Sequence, residues 1–266
     1  MSTTSCSEKP WALIMAAGRG SRLAASIGGS RKQLLLWRGA PLYWHSALAM
    51  SRSAAVGGLI FVFPEEILDE EEKRLRELRK TTDPGLPWII TAGGGRRQDS
   101  VRRGLAALPP HTRRTLVHDA ARPFASPGLI RRVCAALARE DAVIPALPVT
   151  DTIKLIEDGR VAATLPRENL IAAQTPQGFN AGLLAQAHDR ARERGLAATD
   201  DAALMEDAGH DVRVIAGEPK NVKITDPQDL ALLAGTPAPR PCVGMGHDVH
   251  RYGGDRPLVL GGVRIP

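Results

Sequence analysis

The sequence is poor in the residues that mark several classes of protein. Its three cysteines, Cys6, Cys134 and Cys242, are isolated and odd in number, and none forms a Cys-x-x-Cys pair. A disulfide framework and a thiolate metal site are therefore both disfavoured. Aromatic residues make up only 4% of the chain, so the stacking platforms that bind single-stranded nucleic acid are scarce.

Long apolar runs are also missing. The longest ones, such as residues 11–17, fall far short of the roughly 20 residues that a membrane-spanning helix needs. Residues 1–10 are polar and lack the basic-then-apolar pattern of a signal peptide. We therefore expect a cytoplasmic protein that does not interact with a membrane.

The formal net charge of +6 at pH 7 could suit either nucleic acid or a small anionic substrate. Basic residues alternate with acidic ones, as in residues 70–80, which is typical of a solvated helix face. No basic run is interleaved with aromatic residues. This pattern favours a small anion and predicts no nucleic-acid partner.

Strand-like apolar segments alternate with helix-like segments along most of the chain. This alternation predicts an α/β fold, with an open, mostly parallel sheet and helices on both faces. Thr199 is predicted to cap the helix that follows it. The predicted strands are residues 11–16, 59–63, 88–91, 115–119, 142–149, 212–216 and 221–225, and the predicted helices are the segment after Pro41 and residues 65–80, 99–108, 129–139, 181–194 and 227–234.

One segment departs from this alternation. Residues 152–156 and 160–164 flank Glu157-Asp158-Gly159, and Asp-Gly between two short strands is a hairpin signal. A hairpin inserted in an α/β pattern predicts a projecting arm, which is often a dimer contact.

The end of the chain differs in composition from the rest. Three of residues 236–241 are prolines, which is typical of a linker. The remaining residues, 242–266, are too few to bury a core of their own. We therefore predict a domain over residues 1–235, a linker over 236–241 and an incomplete second domain over 242–266.

A glycine-rich loop follows the first predicted strand. In Ala16-Ala-Gly-Arg-Gly-Ser-Arg22, Gly18 and Gly20 would let backbone N–H groups approach phosphate oxygens closely. Leu23 replaces the last glycine of the dinucleotide fingerprint, and the Gly-Lys-Ser/Thr end of a Walker loop is missing. A simple strand-to-helix turn is the alternative, but Arg22 and Lys32, one of only seven lysines, favour phosphate binding.

Seven sequence blocks within residues 11–234 together resemble one family, the 2-C-methyl-D-erythritol 4-phosphate cytidylyltransferases of the non-mevalonate isoprenoid pathway. The resemblance implies a Rossmann-like nucleotidyltransferase sheet and transfer of CMP from CTP to the sugar-alcohol phosphate, with release of pyrophosphate. The blocks are Ala16-Ala-Gly-x-Gly-x-Arg22 with Lys32-Gln33, Gly93-Gly-Gly-Arg-Arg-Gln-Asp-Ser-Val101, Val117-His-Asp-Ala-Ala-Arg-Pro-Phe124, Pro148-Val-Thr-Asp-Thr-Ile-Lys154, Gln174-Thr-Pro-Gln-Gly-Phe179, Thr199-Asp-Asp201 and Asn221-Val-Lys-Ile-Thr225.

The resemblance also implies roles for individual residues. Catalysis would fall to Arg22, Lys32, Arg167 and Lys223. Asp119 would also help hold Mg²⁺, and the arm would form a homodimer in which Arg167 and Thr175 serve the partner's site. The loop before Lys32 is longer than is usual in the family, so Arg31 is the alternative to Lys32. Substrate contacts would come from Ala16, Ala17, Gly18, Gly20, Gly94, Ser100, Asp119, Arg122, Thr152, Thr175 and Thr199.

The last 25 residues resemble the start of a 2-C-methyl-D-erythritol 2,4-cyclodiphosphate synthase, as in a bifunctional fusion that is truncated here. Asp248 and His250 match two of that family's three metal ligands. Alternate residues of a strand share a face, although Asp-x-His alone would also suit a surface turn. The third ligand of that family, a histidine further along the chain, is missing, so a metal, Zn²⁺ by resemblance, is expected at Asp248 and His250 only in a complete domain.

Two other functions remain open at this point. A ribitol 5-phosphate cytidylyltransferase would share most of these motifs. A nucleotide-binding regulator without activity would keep the fold but release no pyrophosphate, and the cations Arg22, Lys32 and Lys223 argue against it.

Overall fold

The computed structural model describes residues 9–18, 31–234, 258–260 and 263–265, without the side chains of Lys32 and of residues 258–260, 264 and 265. The chain divides into a large unit, Met1–Ala234, and a small unit, Gly235–Pro266.

The large unit is built around an eight-stranded sheet in the order β10-β7-β11-β6-β1-β4-β5, with β12 paired to β7. The pairs β1–β4, β1–β6, β4–β5 and β7–β12 are parallel, whereas β10 and β11 pair antiparallel to their neighbours. The predicted mostly parallel α/β fold is confirmed. Its strands are β1 (Trp11–Met15), β2 (Leu36–Trp37), β3 (Ala40–Pro41), β4 (Gly58–Phe63), β5 (Trp88–Ala92), β6 (Arg114–Asp119), β7 (Ala142–Pro148), β8 (Ile153–Glu157), β9 (Arg160–Leu165), β10 (Ile171–Ala173), β11 (Gln177–Asn180) and β12 (Val212–Ala216).

All seven predicted helical segments, including the one after Thr199, are helical, with ends that shift by a few residues. The predicted helix over 65–80 begins as a short 3-10 turn, Glu65–Ile67, as does the one over 227–234, at Pro227–Asp229. The helices of the described part are α1 (Leu42–Arg52), α2 (Leu68–Thr81), α3 (Arg97–Ala106), α4 (Pro127–Leu137), α5 (Ala181–Glu193), α6 (Asp201–Asp207) and α7 (Leu230–Ala234).

The two faces of the sheet carry separate cores, because successive residues of a strand point to opposite faces. Ala12 and Ile14 of β1 belong to a cluster that includes residues of α1, α2 and α4. Leu13 and Met15 belong to another, with residues of α3, α5 and α6. Strands covered on both sides read as continuous apolar runs, which is why β1 and β4 were recognisable in the sequence.

Two local predictions are wrong. Residues 221–225 form no strand; the segment is irregular, and Ile224 N–H donates to the carbonyl of Ala121 at 2.8 Å. The cap of α6 is Asp200, whose side chain accepts from Ala203 N–H at 3.0 Å. An aspartate is as good a cap as a threonine, and the helix begins one residue later than predicted.

The predicted hairpin is present as β8 and β9, which pair antiparallel with each other. Asp158 and Gly159 have φ of 49° and 75°, so both central residues of the turn take the left-handed conformation that a two-residue hairpin turn of this kind requires. Almost every residue of the two strands is exposed. The hairpin therefore projects as the arm that the sequence predicts, and we call residues 153–165 the arm.

The small unit contains two short strands, β13 (Leu258–Leu260) and β14 (Val263–Ile265), which pair antiparallel. The predicted linker, residues 236–241, and the predicted metal ligands Asp248 and His250 lie outside the described residues. No helix in the described part of the chain is long and apolar enough to cross a membrane.

Candidate active site

A cavity of 590 Å³ opens where the parallel strands β1, β4, β5 and β6 end. Its lining includes Met15, Pro64, Gly93 and Asp119, each of which is the last residue of one of these strands or follows it within one residue. The carboxyl ends of parallel strands meet at one edge of a sheet, which is where open α/β sheets place their ligands.

The glycine-rich segment enters this cavity directly from β1. Ala16 N–H donates to the carbonyl of Val62 at 2.9 Å, so the first residue after β1 is still held by β4. The amide of Gln33 donates to the carbonyls of Ala16 at 2.5 Å and Gly18 at 2.7 Å. Gln33 thereby fixes the start of the loop, with Ala17 and Gly18 lining the cavity.

Several predicted phosphate-binding groups lie outside what the structure describes. Gly20 and Arg22 are outside the described residues, and the backbone of Lys32 begins a 3-10 turn while its side chain is not described. Arg31, the alternative to Lys32, lines the cavity and forms a salt bridge with Glu66.

The turn between β5 and α3 forms another part of the lining. Gly94 N–H donates to Ser100 Oγ at 3.0 Å, and Ser100 Oγ donates to the carbonyl of Arg96 at 3.0 Å. A Cβ on Gly94 would lie 2.4 Å from the Cβ of Asp99, a distance that real side chains do not tolerate. This position requires glycine because the turn folds tightly onto the first turn of α3.

Asp119, at the end of β6, is held between two cations. Lys223 Nζ lies 2.6 Å from its Oδ2, and Arg97 Nε lies 3.2 Å from its Oδ1. Burial of Asp119 opposes its ionisation, but the charges of Arg97 and Lys223 outweigh this and hold its pKa well below the usual range. Asp119 is therefore ionised and fixes the ammonium of Lys223 at the cavity wall.

Arg97 connects this carboxylate to a second, fully buried one. Its Nη1 lies 2.7 Å from Oδ2 of Asp201, whose Oδ1 lies 3.0 Å from His188 Nε2. Burial of Asp201 opposes ionisation, and the charge of Arg97 together with the hydrogen bond from His188 lowers its pKa nonetheless. The chain of contacts from His188 through Asp201 and Arg97 to Asp119 and Lys223 links α5 and α6 to the cavity.

Thr175 lies behind Asp119. Its Oγ1 accepts from Asp119 N–H at 3.1 Å and lies 3.1 Å from His118 Nδ1, while His118 Nε2 lies 3.2 Å from the carbonyl of Arg122. Burial lowers the pKa of His118 to about 4, so the ring is neutral near pH 7. These distances fit a ring that accepts from Thr175 and donates from Nε2 to the Arg122 carbonyl.

The segment that carries Lys223 has no strand to hold it, and side-chain amides do so instead. Gln174 Nε2 donates to the carbonyl of Glu218 at 2.9 Å, and its Oε1 accepts from Glu218 N–H at 3.0 Å. Asn221 Nδ2 donates to the carbonyl of Thr175 at 2.8 Å, and Arg122 Nη1 donates to that of Asn221 at 2.7 Å. These bonds explain why a polar, non-strand segment keeps a defined path.

The predicted site residues whose side chains or backbone the structure describes in full fall into three groups. Ala17, Gly18, Gly94, Ser100, Asp119 and Lys223 line the cavity. Ala16, Arg122 and Thr175 contact lining residues or their segments. Thr152, Arg167 and Thr199 are exposed and do not line the cavity of this chain; Arg167 Nη1 donates to the carbonyl of Thr150 at 2.8 Å.

Three residues with evident roles escaped the sequence analysis: Gln33, Arg97 and Asp201. Each lies inside a block that was recognised, but none was singled out. Arg97 and Asp201 are 104 residues apart, so no local pattern could pair them. Arg97 could have been singled out by its position three residues before Ser100, because it lies in the first turn of a helix that follows a strand end.

No group of three or more histidine, cysteine, aspartate or glutamate side chains that could hold a metal ion occurs among the described residues. Both oxygens of Asp119 already contact cations.

Comparisons with known proteins agree with the sequence blocks. A family model described as 2-C-methyl-D-erythritol 4-phosphate cytidylyltransferase matches residues 11–235. A bifunctional enzyme IspD/IspF from Oleidesulfovibrio alaskensis is 51% identical over 261 residues, which are 96% of this chain and 65% of that protein.

Two solved structures are similar over most of the chain. The crystal structure of 2-C-methyl-D-erythritol 4-phosphate cytidylyltransferase from Thermus thermophilus shows 35% identity and a TM-score of 0.66, and covers 85% of this chain and 97% of that one. The bifunctional IspDF from Campylobacter jejuni shows 28% identity and a TM-score of 0.65, over 96% of this chain and 63% of that one. This chain thus spans less than two thirds of these two bifunctional relatives. By its sequence blocks, its fold and these matches, the chain belongs to the 2-C-methyl-D-erythritol 4-phosphate cytidylyltransferase family.

Proposed function

We propose that the large unit transfers the cytidylyl group of CTP to 2-C-methyl-D-erythritol 4-phosphate and releases pyrophosphate. The observation that carries this proposal is the position of Lys223, which Asp119 holds at 2.6 Å on the wall of a cavity that also exposes Gly18 and Gly94. A fixed cation beside the glycine-rich segment at Gly18 suits a triphosphate, and the turn at Gly94 leaves room for the base.

The reaction needs electrostatic help more than a strong base. The attacking group is an oxygen of the 4-phosphate, which is already an anion. It forms a bond to the α-phosphorus of CTP while the bond from that phosphorus to the pyrophosphate oxygen breaks. The barrier comes from repulsion between anions and from charge that builds up around the phosphorus, so cations fixed in advance lower it.

We assign each residue of the cavity a role in binding according to its position. Lys223 contacts the phosphates, together with Arg22 and Lys32 by resemblance. Gly94 and Ser100 form the tight turn that we assign to the cytosine, where backbone groups rather than long side chains contact the base. Arg97 does not approach the substrate in this assignment; it keeps Asp119, and through it Lys223, in place.

We propose Mg²⁺ as the metal of this reaction, bound mainly through the phosphates of CTP. Mg²⁺ often takes one or two carboxylates and completes its shell with substrate oxygens and water, and Asp119 is the buried carboxylate among the described residues that line the cavity. When bound, the ion would neutralise charge on the phosphates. The chain's own residues would then orient the nucleotide and position the cations around the α-phosphorus.

We further propose a homodimer formed through the arm. Leu155, Ile156 and Val161 of the arm are 46%, 66% and 62% exposed, and Ile171 just beyond it is 47% exposed. Neighbouring apolar side chains left open on a projecting hairpin are typical of a protein interface. Arg167 and Thr152, which lie near the base of the arm and outside this chain's cavity, would then contact the 4-phosphate substrate in the partner's site. Thr175, which the sequence also assigned to the partner's site, accepts from Asp119 N–H of its own chain, so we assign it to its own subunit's site instead.

For the small unit we propose the start of a second catalytic domain. Relatives named as bifunctional enzymes match 96% of this chain, and the sequence around Asp248 and His250 resembles a cyclodiphosphate synthase. In a complete domain these two side chains would supply two of the three protein ligands of a zinc ion.

The decisive experiment measures pyrophosphate release with CTP and Mg²⁺, comparing 2-C-methyl-D-erythritol 4-phosphate with ribitol 5-phosphate. The proposal predicts a much higher kcat/KM for the former. A preference for ribitol 5-phosphate would identify the alternative enzyme. CTP binding without pyrophosphate release from either substrate would instead indicate a nucleotide-binding regulator.

A further inference from the structure

A second cavity, of 770 Å³, shares no lining residue with the active-site cavity. Its walls come from α1, from residues 123–127 after β6 and from Leu232 of α7. Trp37, Arg38, Thr82, Pro219, Lys220 and Val222 complete them. Its volume is in the range of about 300–1,000 Å³ that is usual for small-molecule sites. Nothing in cytidylyl transfer requires it.

Aromatic rings form one side of this cavity. The rings of Trp37 and Phe124 meet edge to face, with centroids 5.1 Å apart and planes at 74°. Leu48, Ala49 and Ala125 add buried apolar surface. Such a lining favours a flat apolar group, which can pack against the rings.

The charged groups of the cavity are all of one sign. Arg38, Arg52 and Lys220 line it, and no carboxylate occurs among its described lining residues. None of the three forms a salt bridge with a carboxylate in the described part of the chain. Arg38 instead lies over the ring of Trp37, 4.9 Å from its centroid. By contrast, the cations of the active site, Arg97 and Lys223, are paired with Asp119 and Asp201.

We propose that this cavity binds a small organic anion with a flat aromatic body, such as an aromatic carboxylate. The aromatic part packs against Trp37 and Phe124, and the anionic group lies among Arg38, Arg52 and Lys220. The site is separate from the nucleotide site, although Pro123 and Val222 in its lining are direct chain neighbours of Arg122 and Lys223. A ligand bound in this cavity therefore contacts the segment that carries Arg122 and the segment that carries Lys223, through Pro123 and Val222.

The test is calorimetric titration of the full chain with naphthalene-2-carboxylate as the probe. Removing two cations by Arg52→Gln with Lys220→Gln should weaken its binding about 10-fold, since each exposed ion pair contributes roughly a few-fold to affinity. The matched control, Arg131→Gln with Arg139→Gln, removes two exposed cations that lie outside the cavity and should leave binding unchanged. The uncharged naphthalene-2-carboxamide should bind the wild-type chain weakly.

Two further readouts decide whether the probe occupies this cavity. Saturating CTP should leave probe binding in place, and Trp37→Ala should weaken it. The proposal is overturned if CTP displaces the probe completely, because the probe would then sit in the nucleotide site. It is also overturned if the Arg52/Lys220 variant and the Arg131/Arg139 variant bind the probe equally well. None of these outcomes depends on cytidylyl transfer, so a failure of the proposed function would be seen separately.

Discussion

At the scale of single residues, the site depends on one carboxylate with three different contacts. The two oxygens of Asp119 are taken by Lys223 and Arg97, and its backbone N–H by Thr175. An ionised carboxylate in a buried place is stable only when such partners compensate for lost hydration. Asp119 therefore acts first as the organiser of two cations, and removing either cation leaves its charge only partly compensated.

Lys223→Met should reduce kcat by about 100-fold or more, because one fixed charge-stabilising donor is lost from the transition state. Lys220→Met is the matched control: it removes an exposed lysine three residues away that does not line the active-site cavity. Its kcat should stay close to that of the wild-type chain. Steady-state pyrophosphate release measures both. Equal losses in the two variants would argue against a specific role for Lys223.

Asp201→Asn should destabilise the fold by about 2 kcal/mol or more, because one amide cannot accept from both Arg97 and His188 and a buried pair is broken. Asp207→Asn on the same helix, α6, is the control. Its salt bridge with Arg194, at 2.5 Å, joins side chains that are 30% and 59% exposed, so about 1 kcal/mol or less should be lost. Urea denaturation gives both values. A smaller loss for Asp201→Asn than for Asp207→Asn would contradict the role of the buried pair.

At the scale of elements, the parts of the fold that follow a regular hydrophobic periodicity could be predicted from the sequence. The parts that are held by polar contacts between residues far apart in the chain could not. Strands such as β4, which is buried along its whole length, stand out as apolar runs. β10 and β11 have only three and four residues and are separated by Gln174-Thr-Pro176, so no apolar run in the sequence marks them as strands. Residues 221–225 alternate like a strand, yet their bonds go to Gln174, Thr175 and Ala121.

The site shows the same division. Asp119, Ser100 and Gly94 could be named because each lies in a block next to a strand end. The pairing of Arg97 with Asp201 depends on how α3 packs against α5 and α6, which the local sequence does not encode. The position of Lys223 could be named from its block, but the amide contacts that hold its segment could not.

The arm offers a prediction about subunit sharing. Arg167→Ala and Lys223→Ala are each expected to inactivate the enzyme, while a mixture that exchanges subunits should recover about a quarter of wild-type activity. In a symmetric dimer, half of the randomly formed dimers are mixed, and one of their two sites then has both residues intact. Native mass spectrometry should confirm that mixed dimers form. Mixed dimers without recovered activity would place Arg167 in its own subunit's site.

At the scale of the whole molecule, buried titratable groups tie stability to pH. The pKa of His118 is lowered to about 4 by burial, whereas an unfolded histidine has a pKa near 6.5. Between these values the unfolded chain binds a proton that the folded chain does not, so stability falls as the pH decreases through this window. Below it, Asp119 and Asp201, whose folded pKa values are also lowered, must take up protons on unfolding, and stability falls further.

The free energy of unfolding should therefore decrease by about 3 kcal/mol between pH 7 and pH 4 through His118 alone. His118→Asn should flatten this dependence, although it lowers stability at pH 7. His210→Gln, on a partly exposed residue whose side chain has no hydrogen bond in the described part of the chain, should leave the slope unchanged. Urea denaturation at several pH values provides the measurement. An unchanged slope in His118→Asn would show that other groups dominate.

The division of the chain into two units leads to the last prediction. Every described residue that lines the active-site cavity lies between Met15 and Thr225, and the family match ends at residue 235. A shortened chain ending at Gly235 should therefore transfer the cytidylyl group as fast as the full 266 residues. Asp248 and His250 would supply only two ligands, whereas a catalytic zinc site takes three from the protein, so neither chain should bind zinc tightly. Isothermal titration with Zn²⁺ tests this, and micromolar or tighter binding that is lost on shortening would show that residues 242–266 form a metal site without the rest of a second domain.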